Sequence, residues 1–260
     1  MFYAVMEESG IFRKVVDSIK DIVNQVNLEA NESGLFIQAM DPAHVSLVSL
    51  SLNEGGFKEY RCDKAMSLGI NLTDLSKVLK MASNDDKLTL KADSNTSYLT
   101  LIFENLKSGK EFEIQLNLLS LESENLGVPD TEYPTSITMS SNEFFKLCKE
   151  ITQIAEVMNI EMSDSKKVLF SYSGKSGKGK LTLKQTTGDS DQQSVNLKCD
   201  ENVNCKYGLQ YLNIFSKAAT LADVVEINLS NSFPMMLNLS IGDKGSIKFY
   251  LAPKMEEDDK

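Results

Sequence analysis

The sequence carries one helical pattern twice, and this duplication restricts the possible folds more than any other feature. Apolar residues recur with the spacing of a buried helix face at 9–24, 72–82, 141–155 and 209–219. A shift of 132 positions carries the first stripe onto the third, namely Phe12, Val15, Val16, Ile19 and Ile22 onto Phe144, Leu147, Cys148, Ile151 and Ile154. A shift of 137 positions carries the second onto the fourth, namely Leu72, Leu75, Lys80 and Ala82 onto Leu209, Leu212, Lys217 and Ala219. Similar shifts in the same chain order indicate two copies of one domain.

Most of the chain between these helices alternates apolar and polar residues, which predicts β-strands. Examples are KLTLKA at 87–92, EFEIQLNL at 111–118 and SIKFYLA at 246–252. Short turns such as NEGG at 53–56 and GDKG at 242–245 favour antiparallel neighbours. We therefore predict an α+β protein of two similar domains, each with two helices packed on antiparallel sheets of about eight strands.

An acidic segment with two prolines and no clear period separates the two copies. It predicts an interdomain connector at 119–134, between an N-terminal domain at 1–118 and a C-terminal domain at 135–254. Residues 255–260 form a short acidic run that is typical of a chain end.

The net charge of the chain argues against nucleic-acid binding, whereas the charge on its helical segments favours it. The chain has 27 Lys and Arg against 37 Asp and Glu, a net charge of −10, which excludes a protein that coats itself with nucleic acid. The helical segments hold five acids, yet eight basic residues: Arg13, Lys14, Lys20, Lys77, Lys80, Lys146, Lys149 and Lys217. Eight minus five is +3 on the helices, which leaves −13 elsewhere. Helices that lined one concave surface would make it positive and able to hold phosphates without reading sequence.

Residues for catalysis or metal binding are scarce. His44 is the single histidine, and the four cysteines form no Cys-x-x-Cys pair, so we expect reduced thiols, no metal and no cofactor. Gly174-Lys175-Ser176 resembles the end of a phosphate-binding loop, but Leu169 stands where that loop needs glycine, and we predict a hairpin turn. We expect neither an enzyme, nor a signal peptide, nor a membrane span.

Five long stretches carry a resemblance to a known family. They are GLFIQAMDPAHVSLVSLSL at 34–52, EYRCDKAMSLGINLTDLSKVLK at 59–80, ENLGVPDTEY at 124–133, GLQYLNIFSKAATLAD at 208–223 and FYLAPKMEEDD at 249–259. With these, the chain resembles the eukaryotic DNA sliding clamps of the proliferating cell nuclear antigen family over essentially its whole length.

The resemblance implies the DNA clamp fold in a closed ring of three identical subunits, with the helices inside and the sheets outside. Such a ring encircles duplex DNA, makes a replicative polymerase processive and acts in the nucleus. The eight basic helix residues named above become the DNA-facing set. Edge strands near 109–117 and 175–183 are expected to pair between subunits, although Gly177 and Gly179 weaken the second strand.

The resemblance also implies a pocket under the connector that binds a short hydrophobic-aromatic motif of partner proteins. Its residues here are Met40, His44, Val45, Leu126, Val128, Pro234, Tyr250, Ala252 and Pro253. The implied partners are DNA polymerase, the clamp loader, flap endonuclease, DNA ligase and other proteins with the motif. A pocket that is apolar, contains methionine and lies beside a flexible loop suits many ligands.

Two positions depart from the family. Gln210 stands where relatives often have a basic residue, which removes one expected DNA contact. Asp164 stands where many relatives have a lysine that accepts ubiquitin or a similar modifier, and Lys166 and Lys167 follow it. Which lysine takes that role, if either does, is open.

Two other functions compete with the homotrimeric clamp. A subunit of a heterotrimeric checkpoint-type clamp would share the fold but assemble with two different relatives. A metal-dependent hydrolase would use scattered acids, but no acidic cluster in the sequence stands out for that role.

Overall fold

A computed structural model of the chain describes residues 1–93, 97–105, 107–122, 131–187 and 194–254. The chain forms two compact units, one built mainly from its first half and the other mainly from its second half.

Both repeats consist of nine strands and two α-helices within the described residues. The first contains helices α1 (Ser9–Ile19) and α2 (Leu72–Leu79) and the strands β1 (Phe2–Met6), β2 (Gln25–Asn31), β3 (Gly34–Met40), β4 (Ser46–Asn53), β5 (Glu59–Cys62), β6 (Met66–Asn71), β7 (Lys87–Ala92), β8 (Tyr98–Asn105) and β9 (Lys110–Asn117). The second contains helices α3 (Ser141–Ile151) and α4 (Leu209–Phe215) and the strands β10 (Thr135–Ser140), β11 (Val157–Asp164), β12 (Lys167–Gly174), β13 (Gly177–Lys184), β14 (Asn196–Cys199), β15 (Val203–Gly208), β16 (Val224–Leu229), β17 (Met235–Ser240) and β18 (Gly245–Leu251).

The order of strands is the same in both repeats. In the first repeat the strands lie in the orders β5-β1-β7-β8-β9 and β6-β2-β3-β4. In the second repeat they lie in the orders β14-β10-β16-β17-β18 and β15-β11-β12-β13, so that each strand matches the one nine places earlier. The strand pairs with a resolved register are antiparallel. The predicted α+β class and the two similar domains are confirmed.

Backbone hydrogen bonds at the helix starts follow the same duplication. Ser9 N–H donates to the Asp86 carbonyl at 2.8 Å, and Ser141 N–H donates to Asp223 at 2.9 Å. These residues differ by the shifts of 132 and 137 that relate the apolar stripes. Two copies of the sequence pattern therefore make the same long-range connection between the first helix and the chain after the second helix.

Helix α1 buries the stripe from which it was predicted, whereas Ile154 of the third stripe lies beyond α3 and is 40% exposed. Phe12, Val15, Val16 and Ile19 on α1 are at most 1% exposed. Burying such a side chain stabilises the fold by about 1.5–3 kcal/mol. The stripe therefore fixes α1 on its sheet and turns its basic side chains toward the opposite face.

The helices end earlier than their periodicity predicted. Ile22 N–H donates to Ile19 at 2.9 Å, and Ile154 N–H donates to Ile151 at 2.9 Å, so the chain tightens into a turn after each helix. Ile22 extends the stripe because it is buried in that turn rather than in the helix. The fourth segment likewise changes after Phe215 to a 3-10 turn at Ser216–Thr220.

The Gly-Lys-Ser sequence forms a tight hairpin, as predicted. Gly174 at the end of β12 pairs with Gly177 at the start of β13, and a strand rather than a helix follows. A β-carbon on Gly174 would lie 1.9 Å from the Ile154 carbonyl oxygen, so the hairpin lies directly against the turn that follows α3.

Candidate nucleic-acid interface and partner surface

Lys20 is held in a hydrogen-bonded cluster between the two helices of the first repeat. It follows the last residue of α1, and its Nζ donates to Asp17 Oδ1 and, at 3.0 Å, to Ser76 Oγ of α2. Ser76 Oγ also donates to Asp17 Oδ1 at 2.9 Å. This cluster joins α1 to α2, and the Lys20 side chain is only 17% exposed.

The cluster shifts the pKa of both ionised partners. Partial burial alone would raise the pKa of Asp17, but hydrogen bonds from Lys20 and Ser76 outweigh it and the net pKa is lowered. Partial burial would lower the pKa of Lys20, but the hydrogen bond to Asp17 and the nearby negative charges of Asp17 and Asp21 together outweigh it, and the net pKa is raised. The pair therefore stays ionised over the whole physiological range.

The other basic residues of the first repeat differ in exposure and pairing. Arg13 Nε lies 3.9 Å from Asp17, and Lys77 Nζ lies 2.8 Å from Asp74 on the same helix turn. Lys14 and Lys80 are exposed, on α1 and just after α2.

The second repeat presents its basic residues more openly. Lys146 and Lys149 lie on α3 with exposed side chains, and Lys146 is 3.9 Å from Glu150. Lys149 makes no ion pair with the described part of the chain. Lys217 lies in the 3-10 turn after α4 rather than on the helix, and Gln210 is exposed on α4.

Several residues of the expected partner pocket meet in the second unit. The Ala252 N–H donates to the Val45 carbonyl at 3.0 Å, which fixes the chain after β18 beside the segment before β4. His44 is exposed and has a left-handed backbone with φ of 55°. The Pro234 carbonyl accepts a 2.8 Å hydrogen bond from the Tyr133 hydroxyl.

The structure gives only the burial of most remaining residues of the expected pocket. Tyr250, Ala252 and Pro253 are half-buried. Met40 ends β3 in the first unit and is also half-buried. Leu126 and Val128 lie outside the described residues.

Tyr133 and Phe233 belong to the same surface and were missed in the sequence. Their rings contact edge to face with centroids 6.4 Å apart, and Phe233 is 43% exposed. Burial, with the nearby Tyr250, raises the pKa of Tyr133 to about 12. The signal in the sequence was an aromatic residue in a turn, Ser-Phe-Pro, where solubility favours a polar one.

Asp164 has a structural role that a lysine could not fill. Its Oδ1 accepts hydrogen bonds from the backbone N–H groups of Lys166 at 2.8 Å and Lys167 at 3.2 Å. This carboxylate caps the turn between β11 and β12. Lys166 and Lys167 are both exposed beside it.

Strands β9 and β13 each lie at the end of a sheet in the described part of the chain, and each has two different faces. The inward faces carry half-buried apolar residues, and Phe112 of β9 stacks on the buried Phe103 at 4.8 Å. The outward face of β9 carries exposed Glu111 and Glu113, whereas that of β13 carries exposed Lys178 and Lys180.

Gly179 of β13 has a specific reason to lack a side chain. A β-carbon there would lie 2.4 Å from the Tyr172 hydroxyl oxygen, so the phenol ring covers the glycine from the neighbouring strand. The glycine that was expected to weaken this strand is thus packed under an aromatic ring.

The described residues also bear on metals and membranes. They include no group of three or more His, Cys, Asp and Glu side chains placed to hold a metal ion. All four cysteines are free thiols, and burial raises the pKa of Cys148. Across the ranges described, helices are too short or too polar to cross a membrane.

Comparison with known proteins accounts for nearly the whole chain. Residues 1–125 match the family "Proliferating cell nuclear antigen, N-terminal domain", and residues 127–254 match "Proliferating cell nuclear antigen, C-terminal domain". The proliferating cell nuclear antigen of Chaetomium thermophilum is 42% identical over 260 residues, which cover all of both chains. With both domains matched in order, the chain belongs to the proliferating cell nuclear antigen family and has its DNA clamp fold.

Proposed function

We propose that the protein is a homotrimeric sliding clamp that encircles duplex DNA in the nucleus. It would hold a replicative polymerase on its template and recruit repair proteins, as a scaffold and not as an enzyme. Family membership over the full chain supports this class of function. The domain limits 1–118 and 135–254, with the connector 119–134 and the tail 255–260, belong to the same proposal.

The proposal of a ring is supported by the edges of β9 and β13, which are complementary in charge and in apolar surface. If β9 of one copy extends the sheet at β13 of the next, the half-buried apolar faces meet on one side. On the other side Glu111 and Glu113 then meet Lys178 and Lys180. Pairing of β9 with β9, or of β13 with β13, would place like charges together.

Association between two different edges is head-to-tail, because neither edge fits itself. A head-to-tail contact leaves one free edge at each end of a growing assembly. The ends disappear only when the assembly closes into a ring. A closed ring leaves no copy with an exposed edge, and the family supports three subunits for that ring.

The basic helix residues support the choice of DNA as the enclosed ligand. Lys80, Lys146, Lys149 and Lys217 are exposed, whereas most of the chain's acidic charge lies outside the helices. Contacts of this kind go to phosphates, do not depend on base sequence and weaken with salt. A ring holds its DNA by topology, so weak contacts suffice and allow sliding.

The pocket near Val45, Pro234, Tyr250 and Ala252 supports a role in recruiting partners. Polymerase, clamp loader, flap endonuclease and ligase would each dock a short hydrophobic-aromatic peptide there.

The variant Tyr250→Ala tests this pocket. It should abolish binding of a fluorescently labelled peptide that carries the hydrophobic-aromatic motif, while the trimer stays intact in sedimentation. A dissociated trimer would instead assign Tyr250 to the structural core.

Sedimentation equilibrium tests the assembly itself. The purified chain should sediment with three times the 28.9 kDa mass of one chain at micromolar concentration. A mass near that of one chain, well above that concentration, would contradict a homotrimer. Assembly only after addition of two different relatives would replace it with a heterotrimeric clamp.

A further inference from the structure

The two repeats carry opposite charges at one duplicated helix position. The shift of 132 that places Phe12 on Phe144 also places Asp17 on Lys149. Both residues lie on the first helix of their repeat, two positions before its end. The first repeat thus has an acid among its basic helix residues where the second repeat has a base.

Asp17 contacts two of the five basic helix residues of the first repeat. Its carboxylate accepts hydrogen bonds from Lys20 Nζ and Ser76 Oγ, and it lies 3.9 Å from Arg13 Nε. Lys80 is close enough to contribute to the lowered pKa of Asp17. The 30% exposure of the Asp17 side chain leaves these interactions only partly screened by water.

We propose that Asp17 weakens the DNA contact of the first repeat, because its carboxylate competes with DNA phosphates for Arg13 and Lys20. This inference rests on the proposed DNA-facing role of the helices. Lys149 at the duplicated position has no such competitor among the described residues, so the second repeat makes the stronger phosphate contact. The second half of each subunit thereby holds DNA more strongly than the first half, and the weaker half helps the ring to stay mobile.

The physical basis is exchange of one anion for another. A phosphate that binds Lys20 must first displace Asp17 and break the hydrogen bonds within the cluster. Lys20 also has little exposed surface, so a phosphate cannot approach it without moving the side chain. Neutral asparagine at position 17 would remove the competing charge from Arg13 and Lys20, although Arg13 Nη1 would keep its 3.3 Å hydrogen bond to Asn84 Oδ1.

The test is binding of the assembled trimer to a short linear fluorescent duplex, measured by anisotropy over a range of salt concentrations. Asp17→Asn should tighten binding about three-fold or more at low salt. For this variant, the slope of the logarithm of the binding constant against the logarithm of salt concentration should steepen by about 0.9 for each additional phosphate that the protein neutralises. Asp17→Lys, which copies the second repeat, should bind still more tightly, and Asp17→Glu should bind like the wild type.

Asp243→Asn is the matched control for a general change in charge. Asp243 is exposed in the 3-10 turn before β18, and its loss changes the net charge by the same amount. Equal tightening in Asp243→Asn and Asp17→Asn would overturn the proposal. Thermal unfolding identifies a variant whose weaker binding reflects misfolding, and the folded double variant Asp17→Asn/Lys20→Gln should lose part of the tightening.

Lys149→Ala separates failure of this inference from failure of the proposed function. If Lys149→Ala weakens binding but Asp17→Asn does not tighten it, the helices face DNA and Asp17 does not compete. If neither variant changes binding or its salt dependence, the helices do not contact DNA, and both the inference and the DNA-facing assignment are wrong.

Discussion

Lysines that look alike in the sequence differ, at the scale of single residues, in exposure and in ion pairing. Lys20 is partly buried and shares Asp17 with Ser76, whereas Lys149 is exposed on α3. The resemblance to the clamp family implied that both are DNA-facing. It could not predict the cluster, since Ser76 is 59 positions from Asp17 and meets it only when α1 packs beside α2.

The Asp17 and Lys20 pair predicts a specific dependence of stability on pH. Because the pKa of Asp17 is lowered from 3.8, the pair stabilises the fold above pH 3.8 and loses this effect as pH falls further. Because the pKa of Lys20 is raised from 10.5, the effect is present below pH 10.5 and lost as pH rises through its folded pKa. Asp17→Asn should lower the free energy of unfolding by on the order of 1 kcal/mol at pH 7.

Urea unfolding of the wild type and Asp17→Asn, followed from pH 7 down to about pH 2, measures the acid side of this effect. The difference between the urea concentrations at which the wild type and the variant are half unfolded should shrink toward acid pH. A difference that is the same at every pH would show that the cluster is not ionic.

Within single elements, the sequence predicted the helix stripes well and the helix ends poorly. Periodicity reports which residues are buried, and Ile22 is buried although it lies in the turn after α1. Such an end depends on one turn of tight backbone hydrogen bonds, which side-chain spacing does not report. The alternating segments at 87–92, 111–118 and 246–252 agree with β7, β9 and β18 to within one residue at each end, because alternation stops where a turn begins.

The hairpin between β12 and β13 provides a matched pair of glycines. Gly174→Ala should destabilise the protein by about 1–3 kcal/mol, because its β-carbon would lie 1.9 Å from the Ile154 carbonyl oxygen. Gly177→Ala should change stability by no more than about 0.5 kcal/mol, because nothing lies within 4 Å of its β-carbon. Urea unfolding measures both, and equal effects would contradict the close approach.

The two edge strands give a prediction about assembly. Replacing Glu111 and Glu113 with Lys should dissociate the trimer, because the edges of β9 and β13 would then both be basic. Replacing Lys178 and Lys180 with Glu should do the same with the opposite charge. All four replacements together should restore the trimer in sedimentation, and failure to do so would show that these charges do not meet.

For the whole molecule, duplication and charge were predictable, whereas parts of the proposed partner surface were not. The order of strands repeats as the helix stripes indicated, since both copies bury the same pattern. Tyr133 and Phe233 lie 100 positions apart and meet only because the loop before β17 folds beside the chain before β10. No local pattern in either segment reports such a contact.

The most direct test of encirclement is retention of the protein on linear duplex DNA whose ends can be closed. The trimer is first allowed to thread onto the DNA at low salt, and bulky proteins are then attached to both ends, to one end or to neither. After a high-salt wash, the account predicts that the protein remains only where both ends are blocked, because topology and not affinity holds it. Retention that does not depend on the ends, or loss from doubly blocked DNA with the trimer intact, would contradict it.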